Sequence, residues 1–305
     1  MVAFGGNALW PDPGYPGSQE ERADRFSEAL FRLLQEGEGA ALVHGNGPQV
    51  GMILLRIEAT RDRFPPESLD VMVAETQGSI GYLLARSLRS ALARRGRVQE
   101  VAAAVTQVAV DPGDPAFSRP TKPVGPCYPD DQAREIRERC GWPLMKTPRG
   151  WRRLVASPRP LQVVEMHTIA DAVSHGHILI AGGGGGVPVV QEEDGSWRGV
   201  EAVVDKDLTA ALMACSLKAR MLAILTDVPA VFLRFGRPDQ EALPRLSTAA
   251  ARRLLEEREF PPGSMGPKVE AAVRYAEAMG HKALITDVEH LAGALEGRDG
   301  TWVER

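Results

Sequence analysis

The chain has 305 residues, 44% of them apolar, and a formal net charge of −4. That length fits one large α/β domain or two smaller ones, and the apolar share excludes general disorder. The charge argues against an electrostatic nucleic-acid binder, and no apolar run reaches the length of a membrane span.

The elements alternate from the start. "VAFGG" reads as a strand running into a glycine turn, followed by a helix from "SQEERADRFSEALFRLLQEG". Ser18 and Glu21 have capping-box spacing, Phe26, Ala29, Leu30 and Leu33 share a face, and Gly37 stops the helix. "AALVHGNG" is a second strand into a glycine turn, and "PQVGMILLRIEAT" starts a helix with Pro48 in its first turn. "GSIGYLLARSLRSALARRG" predicts a long amphipathic helix, and "VQEVAAAVTQVAV" predicts one strand after it.

The pattern then breaks. Six prolines between 111 and 129 forbid a helix or a central strand there. A short polar helix, "DDQAREIRERC", and another Arg/Pro-rich stretch follow. Residues from about 115 to 160 therefore predict a small, stiff, lid-like lobe protruding from a single domain that spans 1–305. Alternation resumes with the strand "HILIAGGGG", the helix "DLTAALMACSLK", the strand "MLAILTDV" and the helix "STAAARRLLEER". A helix from Pro267 to Gly280 and the strand "HKALITD" come next. Such alternation predicts a largely parallel sheet covered on both faces.

Four strand-to-turn junctions share one design: "VAFGGNAL", "LVHGNGPQVG", "LIAGGGGGVP" and "AILTDVP". In open parallel sheets such turns converge beyond the carboxyl ends of the strands. Glycine turns feeding helix N-termini present free N–H groups and a positive dipole end to an anion. Any one of them is explained by a tight turn; four together point to phosphate or small-anion binding. The lysines add to this. Of 36 basic residues only six are lysine, yet Lys122, Lys206 and Lys268 all fall at loops or helix starts. Lysine is a compact point charge where arginine is a wide fork, so a crowded phosphate site can demand it. In "VVDKDLTAALMA", Lys206 stands where the helix dipole disfavours a cation, which indicates a task other than solvation. Phosphoryl transfer needs positive charge on the equatorial oxygens and in-line positioning, which lysines held in register by an aspartate provide.

Other chemistries lack support. There is no G-x-x-x-x-G-K-[ST], "GNGPQVG" has its third glycine one place too late for a dinucleotide fingerprint, and neither G-x-S-x-G nor H-E-x-x-H occurs. Cys127, Cys140 and Cys215 show no C-x-x-C pairing. Without a signal-peptide layout, they read as reduced thiols of a cytoplasmic protein.

The series "GGNAL", "HGNGPQVG", "TQGSIGYLL", "PTKPVGP", "GWRRLVASPRP", "GGGGGVPVV", "GVEAVVDKDLTAALMA" and "GSMGPKVEAA" resembles the carbamate kinases of the amino acid kinase superfamily. The resemblance covers nearly the whole chain. It implies an α/β/α three-layer sandwich with an open, mainly parallel sheet of about eight strands, and a homodimer. It also implies reversible phosphoryl transfer between ATP and carbamate, giving ADP and carbamoyl phosphate. Mg²⁺ would be carried by the nucleotide rather than by protein ligands. By matching motif, Gly5, Gly6 and Asn7 line the phosphoryl site, and Gly45, Asn46 and Gly47 hold the small substrate. Lys206 and Lys268 flank the moving phosphoryl, with Asp207 orienting them. Gly183, Gly184, Asp205, Thr226, Asp227, Met265 and Lys268 serve the nucleotide. Many relatives place a lysine on the first strand where this chain has Ala3; Lys122, from the protruding lobe, resembles its substitute. Two alternatives stay open: an amino acid kinase acting on a carboxylate such as acetylglutamate, and a non-catalytic sensor of nucleotide or carbamoyl phosphate.

Overall fold

Side-chain alternation on the strands explains the layering. In a computed structural model describing residues 1–5, 18–261 and 263–305, eight strands form one sheet. Its spatial order is Arg245–Ser247, Thr301–Glu304, Ala283–Thr286, Leu222–Leu225, Val2–Phe4, Ala40–His44, Ile178–Ile180 and Val101–Ala103. All neighbours are parallel except Ala283–Thr286 with Thr301–Glu304. Ala3, Ala41, Val43, Leu179, Ile224 and Ile285 face a core built with helices Lys206–Ser216 and Met265–Met279. Their neighbours Val2, Phe4, Leu42, Ile180, Ala223 and Leu284 face a second core beneath helices Gln19–Leu30 and Leu69–Arg94. This period of two, with both faces covered, produces three layers. The expected α/β/α sandwich with an eight-stranded sheet is what the chain forms.

The first helix carries both halves of the predicted capping box: Glu21 N–H donates to Ser18 Oγ (3.2 Å) and Ser18 N–H to Glu21 Oε2 (3.1 Å). Two local expectations are corrected. The long helix begins at Leu69, ahead of the predicted Gly78, which is absorbed within it. A Cβ on Gly81 would lie 2.7 Å from Ala103 Cβ, so this glycine serves the close approach of helix to sheet. The predicted single strand before the prolines is two strands in different sheets, Val101–Ala103 and Gln107–Val110. Between them the buried Gln77 amide takes up both backbone groups of Thr106, accepting from its N–H (2.7 Å) and donating to its carbonyl (3.1 Å). That clamp satisfies the ladder groups where the chain changes sheets.

Gln107–Val110 joins a four-stranded sheet with Pro160–Val163, Val187–Gln191 and Trp197–Gly199. The proline-rich region forms a separate three-stranded antiparallel sheet: Lys122–Tyr128, Gly150–Val155 in the middle, and Leu144–Thr147. Pro123 and Pro126 sit on an edge strand whose register shifts between Val124 and Tyr128, the setting proline tolerates. Helix Asp130–Cys140 packs on this sheet through Ala133 and Ile136. The helix Met166–Ser174 and the strand Thr301–Glu304 had no counterpart in the sequence reading. Among the described residues, no helix is long and apolar enough to cross a membrane.

Candidate active site

The carboxyl ends of Val2–Phe4, Ala40–His44 and Ile178–Ile180 lie side by side, so the turns that follow them converge. The Gly182–Gly186 run is a tight, buried turn, not a linker. Gly184 has φ +68°, and a Cβ there would lie 2.2 Å from Asn46 Nδ2. At Gly183 the obstacle is contact: its Cβ would lie 2.3 Å from His44 Nε2. Glycine is therefore required at 184 by backbone and packing together, and at 183 by packing.

Helix Lys206–Ser216 supplies the charges. Asp205 is its N-cap, and Oδ1 accepts the Asp207 N–H at 3.0 Å. Its other oxygen, Oδ2, accepts from Lys122 Nζ at 2.7 Å, so one carboxylate both caps the helix and meets the small sheet. Asp207 is 2% exposed and lies between two ammonium groups: Lys206 Nζ is 2.6 Å from Oδ1 and Lys268 Nζ 3.2 Å from Oδ2. Lys268 also donates to the Ser264 carbonyl at 3.3 Å. Burial alone would raise the Asp207 pKa, but the two ammonium groups outweigh it and hold the carboxyl well below its ordinary range. Burial pushes the Lys206 amine down from its ordinary value, against the pull of Asp207 and with the help of Lys268.

These groups open onto a cavity of about 220 Å³, lined among others by Gly45, Asn46, Gly47, Lys122, Gly184, Asp205, Lys206, Asp207 and Lys268. Asn46 is fixed by donating from Nδ2 to Thr76 Oγ1 at 2.8 Å. Residues far apart in the chain are thus brought to one pocket. Others are not. Gly5 follows the first strand, with no described atom within 4 Å of where its Cβ would be, but it is not among the residues lining the cavity. Gly183 lies one step beneath the surface, and Met265 packs toward the core from the first turn of its helix. Thr226 follows Leu222–Leu225, its N–H donating to the Thr286 carbonyl at 2.8 Å, and neither it nor Asp227 lines the cavity. Gly6 and Asn7 lie outside the described residues.

Two residues at the site escaped the sequence reading. Arg152 lines the cavity, its guanidinium tied to the Gly125 and Pro123 carbonyls at 3.2 Å each. An arginine in a chain with 30 of them carries no signal of its own. His44 lies under the glycine turns, 1% exposed; its position directly before Gly45 was the available signal. Among the described residues no cluster of three or more His, Cys, Asp or Glu side chains could hold a metal ion. Among the described residues the carboxylates lining the cavity are Asp205 and Asp207, and both are engaged by lysines.

An open α/β/α sheet with glycine turns and paired lysines at its carboxyl edge defines a class of phosphoryl-transfer proteins. The profile of the amino acid kinase family matches residues 1–287, and the chain belongs to that family. Within it, the chain is similar to the carbamate kinase of Thermococcus kodakarensis, 42% identical over 312 residues covering 100% of this chain and 98% of the relative. It is also 42% identical to the carbamate kinase-like protein YqeA of Escherichia coli, over 99% of this chain and 97% of that one. The solved structure of Giardia lamblia carbamate kinase bound to AMP-PNP superposes with a TM-score of 0.89 at 34% identity, covering 99% and 97% of the two chains.

Proposed function

We propose that this chain is a carbamate kinase, moving a phosphoryl group reversibly between ATP and carbamate. The observation that carries the reading is Asp207 holding Lys206 and Lys268 at one cavity, with Lys122 on its rim. In the direction that makes ATP, a β-phosphate oxygen of ADP forms the new P–O bond. The P–O bond to the carbamoyl group breaks, and carbamate leaves with the electron pair. Charge spreads over the three equatorial oxygens as this happens, and fixed ammonium groups stabilise it without reorganising. Lys206 and Lys268 supply that charge; Asp207 keeps their positions and their protons. Lys122 gives up Asp205 for the incoming phosphoryl oxygens. Gly45, Asn46 and Gly47 hold the carbamoyl end, and Gly5, Gly6 and Asn7 are assigned to the phosphoryl group by their motif. Gly183, Gly184, Asp205, Thr226, Asp227, Met265 and Lys268 serve the nucleotide. Asp207 is committed to Lys206 and Lys268, and the divalent cation enters on the nucleotide's phosphates as part of the substrate.

In this reading residues from about 115 to 160 are a lobe that delivers Lys122, and the enzyme works as a cytoplasmic homodimer. Ultracentrifugation tests the dimer. The function is tested by mixing the chain with carbamoyl phosphate and MgADP and following ATP through a coupled dehydrogenase. ATP formation is expected; its absence, with ADP still bound in calorimetry, would leave the sensor reading instead. N-acetylglutamate with MgATP in parallel should give no turnover.

A further inference from the structure

His44 ends the strand Ala40–His44 and is sealed from solvent, with its ring 6.3 Å from that of Phe4. Its Nδ1 is 3.1 Å from the Gly45 carbonyl oxygen. A carbonyl only accepts, so Nδ1 carries the hydrogen, and a neutral ring then leaves Nε2 bare. That bare edge faces Gly183: a Cβ there would be 2.3 Å from Nε2 and 2.5 Å from Cε1, so only a glycine Cα–H fits. Burial, with the nearby Lys206 ammonium, keeps a second proton off the ring and lowers its pKa to about 4, although the Gly45 bond opposes this. Among the described residues no hydrogen bond reaches Nε2, and a proton there would point at the Gly183 carbon.

The neighbouring contact has the same form. Asn46, pinned by Thr76, fills the space where a Gly184 side chain would be. The turn after one strand thus rests on side chains from the turn after the next, and Gly45 and Gly184 both line the cavity. We propose that His44 is a positioning residue for phosphoryl transfer: its Nδ1–H fixes the Gly45 carbonyl while its bare Nε2 edge seats Gly183, so one ring sets the spacing of two glycine turns. This role rests on the phosphoryl-transfer reading given above.

The tautomer is read without turnover. A long-range ¹H–¹⁵N spectrum of the wild-type protein at pH 7 should show His44 neutral and protonated on Nδ1; an Nε2–H ring or an imidazolium overturns the proposal. Kinetics supply the second arm. His44→Asn places an amide N–H near the lost Nδ1–H, whereas His44→Gln places its amide near Nε2. The Asn variant, which keeps the Gly45 contact but not the seat for Gly183, should retain at least about tenfold more kcat than the Gln variant, which should lose about a hundredfold, the scale expected for a misplacement of about 1 Å. The KM for MgADP should stay unchanged in both. Equal activity of the two variants overturns the positioning role while the function stands. An inactive wild type sinks the functional reading, and this role with it, whatever the tautomer.

Discussion

Asp207 balances two ammonium groups on one buried carboxylate, and that balance has consequences for both catalysis and stability. In a site with so little solvent, the Lys206 charge matters most when negative charge spreads in the transition state. Lys206→Ala should therefore lower kcat by at least about a hundredfold and leave MgADP affinity nearly unchanged. Steady-state kinetics with calorimetry check this, and weakened ADP binding at normal kcat would contradict it. The carboxylate also makes a pH prediction. Its folded pKa lies below the ordinary 3.8, at about 2, so the unfolded chain takes up the proton first as pH falls. The stability from this group is complete above about pH 4 and is lost progressively between 3.8 and about 2. Acid titrations of wild type and Asp207→Asn should diverge above that window and converge below it. Above it, the Asn variant should be less stable by about 3 kcal/mol, because two buried cations lose their partner.

At the scale of elements, helix Lys206–Ser216 shows how one N-cap can do two jobs. Asp205 satisfies the helix terminus with one oxygen and holds Lys122 with the other. Asp205→Ala should cost about 1 kcal/mol through the lost cap, read in a thermal melt. Asp205→Ser should regain most of that stability, since serine caps well, but not the contact to Lys122, so turnover should stay depressed. Recovery of both together would mean that the cap alone matters. The elements themselves were largely legible in the sequence. The capping box at Ser18 and Glu21, the Gly280 stop and the apolar faces all work through local spacing. The split at Ala104–Thr106 was not legible, because the residue that makes it, Gln77, lies 29 positions earlier in the chain. The start of the long helix was hidden for a related reason. Gly78 looks like a boundary until the buried Leu69, Met72 and Val73 ahead of it find their partners in the fold.

At the scale of the whole molecule, the small antiparallel sheet packs on the body through Val124 and Val155, which share a buried cluster with Val50, Leu54, Leu69 and Met72. Ala156 pairs with Ala202, and Arg153 meets Glu201 at 2.8 Å while its guanidinium lies 4.0 Å over the Trp142 ring. Glu201 accepts in turn from the Leu69 N–H at 2.7 Å, so the same carboxylate touches the start of the long helix. Lys122 joins these contacts to the cavity. The pair with Asp205 is largely shielded, its side chains 24% and 12% exposed, so removing one partner costs stability as well as charge. Lys122→Ala should therefore lower Tm by a few degrees and also lower kcat strongly, at unchanged MgADP affinity. Full turnover in this variant would detach the small sheet from the chemistry.

The amino-acid sequence by itself determined what short-range physics can write: alternating strands and helices, caps and stops, prolines confined to an edge, and glycines where backbone must come close. It also singled out Lys122, Lys206 and Lys268 as lysines kept at loops and helix starts of an arginine-rich chain, with Lys206 where the helix dipole disfavours a cation. Only the tertiary structure decided which of these meet. The Lys268–Asp207 contact spans 61 positions and the Lys122–Asp205 contact 83, and no periodicity reaches that far. The same holds for His44 and Gly183, which look like an ordinary histidine and one glycine of five until folding brings their two strands side by side. Local rules act over a few residues, whereas a site is made where strand ends distant in the chain are forced together by a shared core.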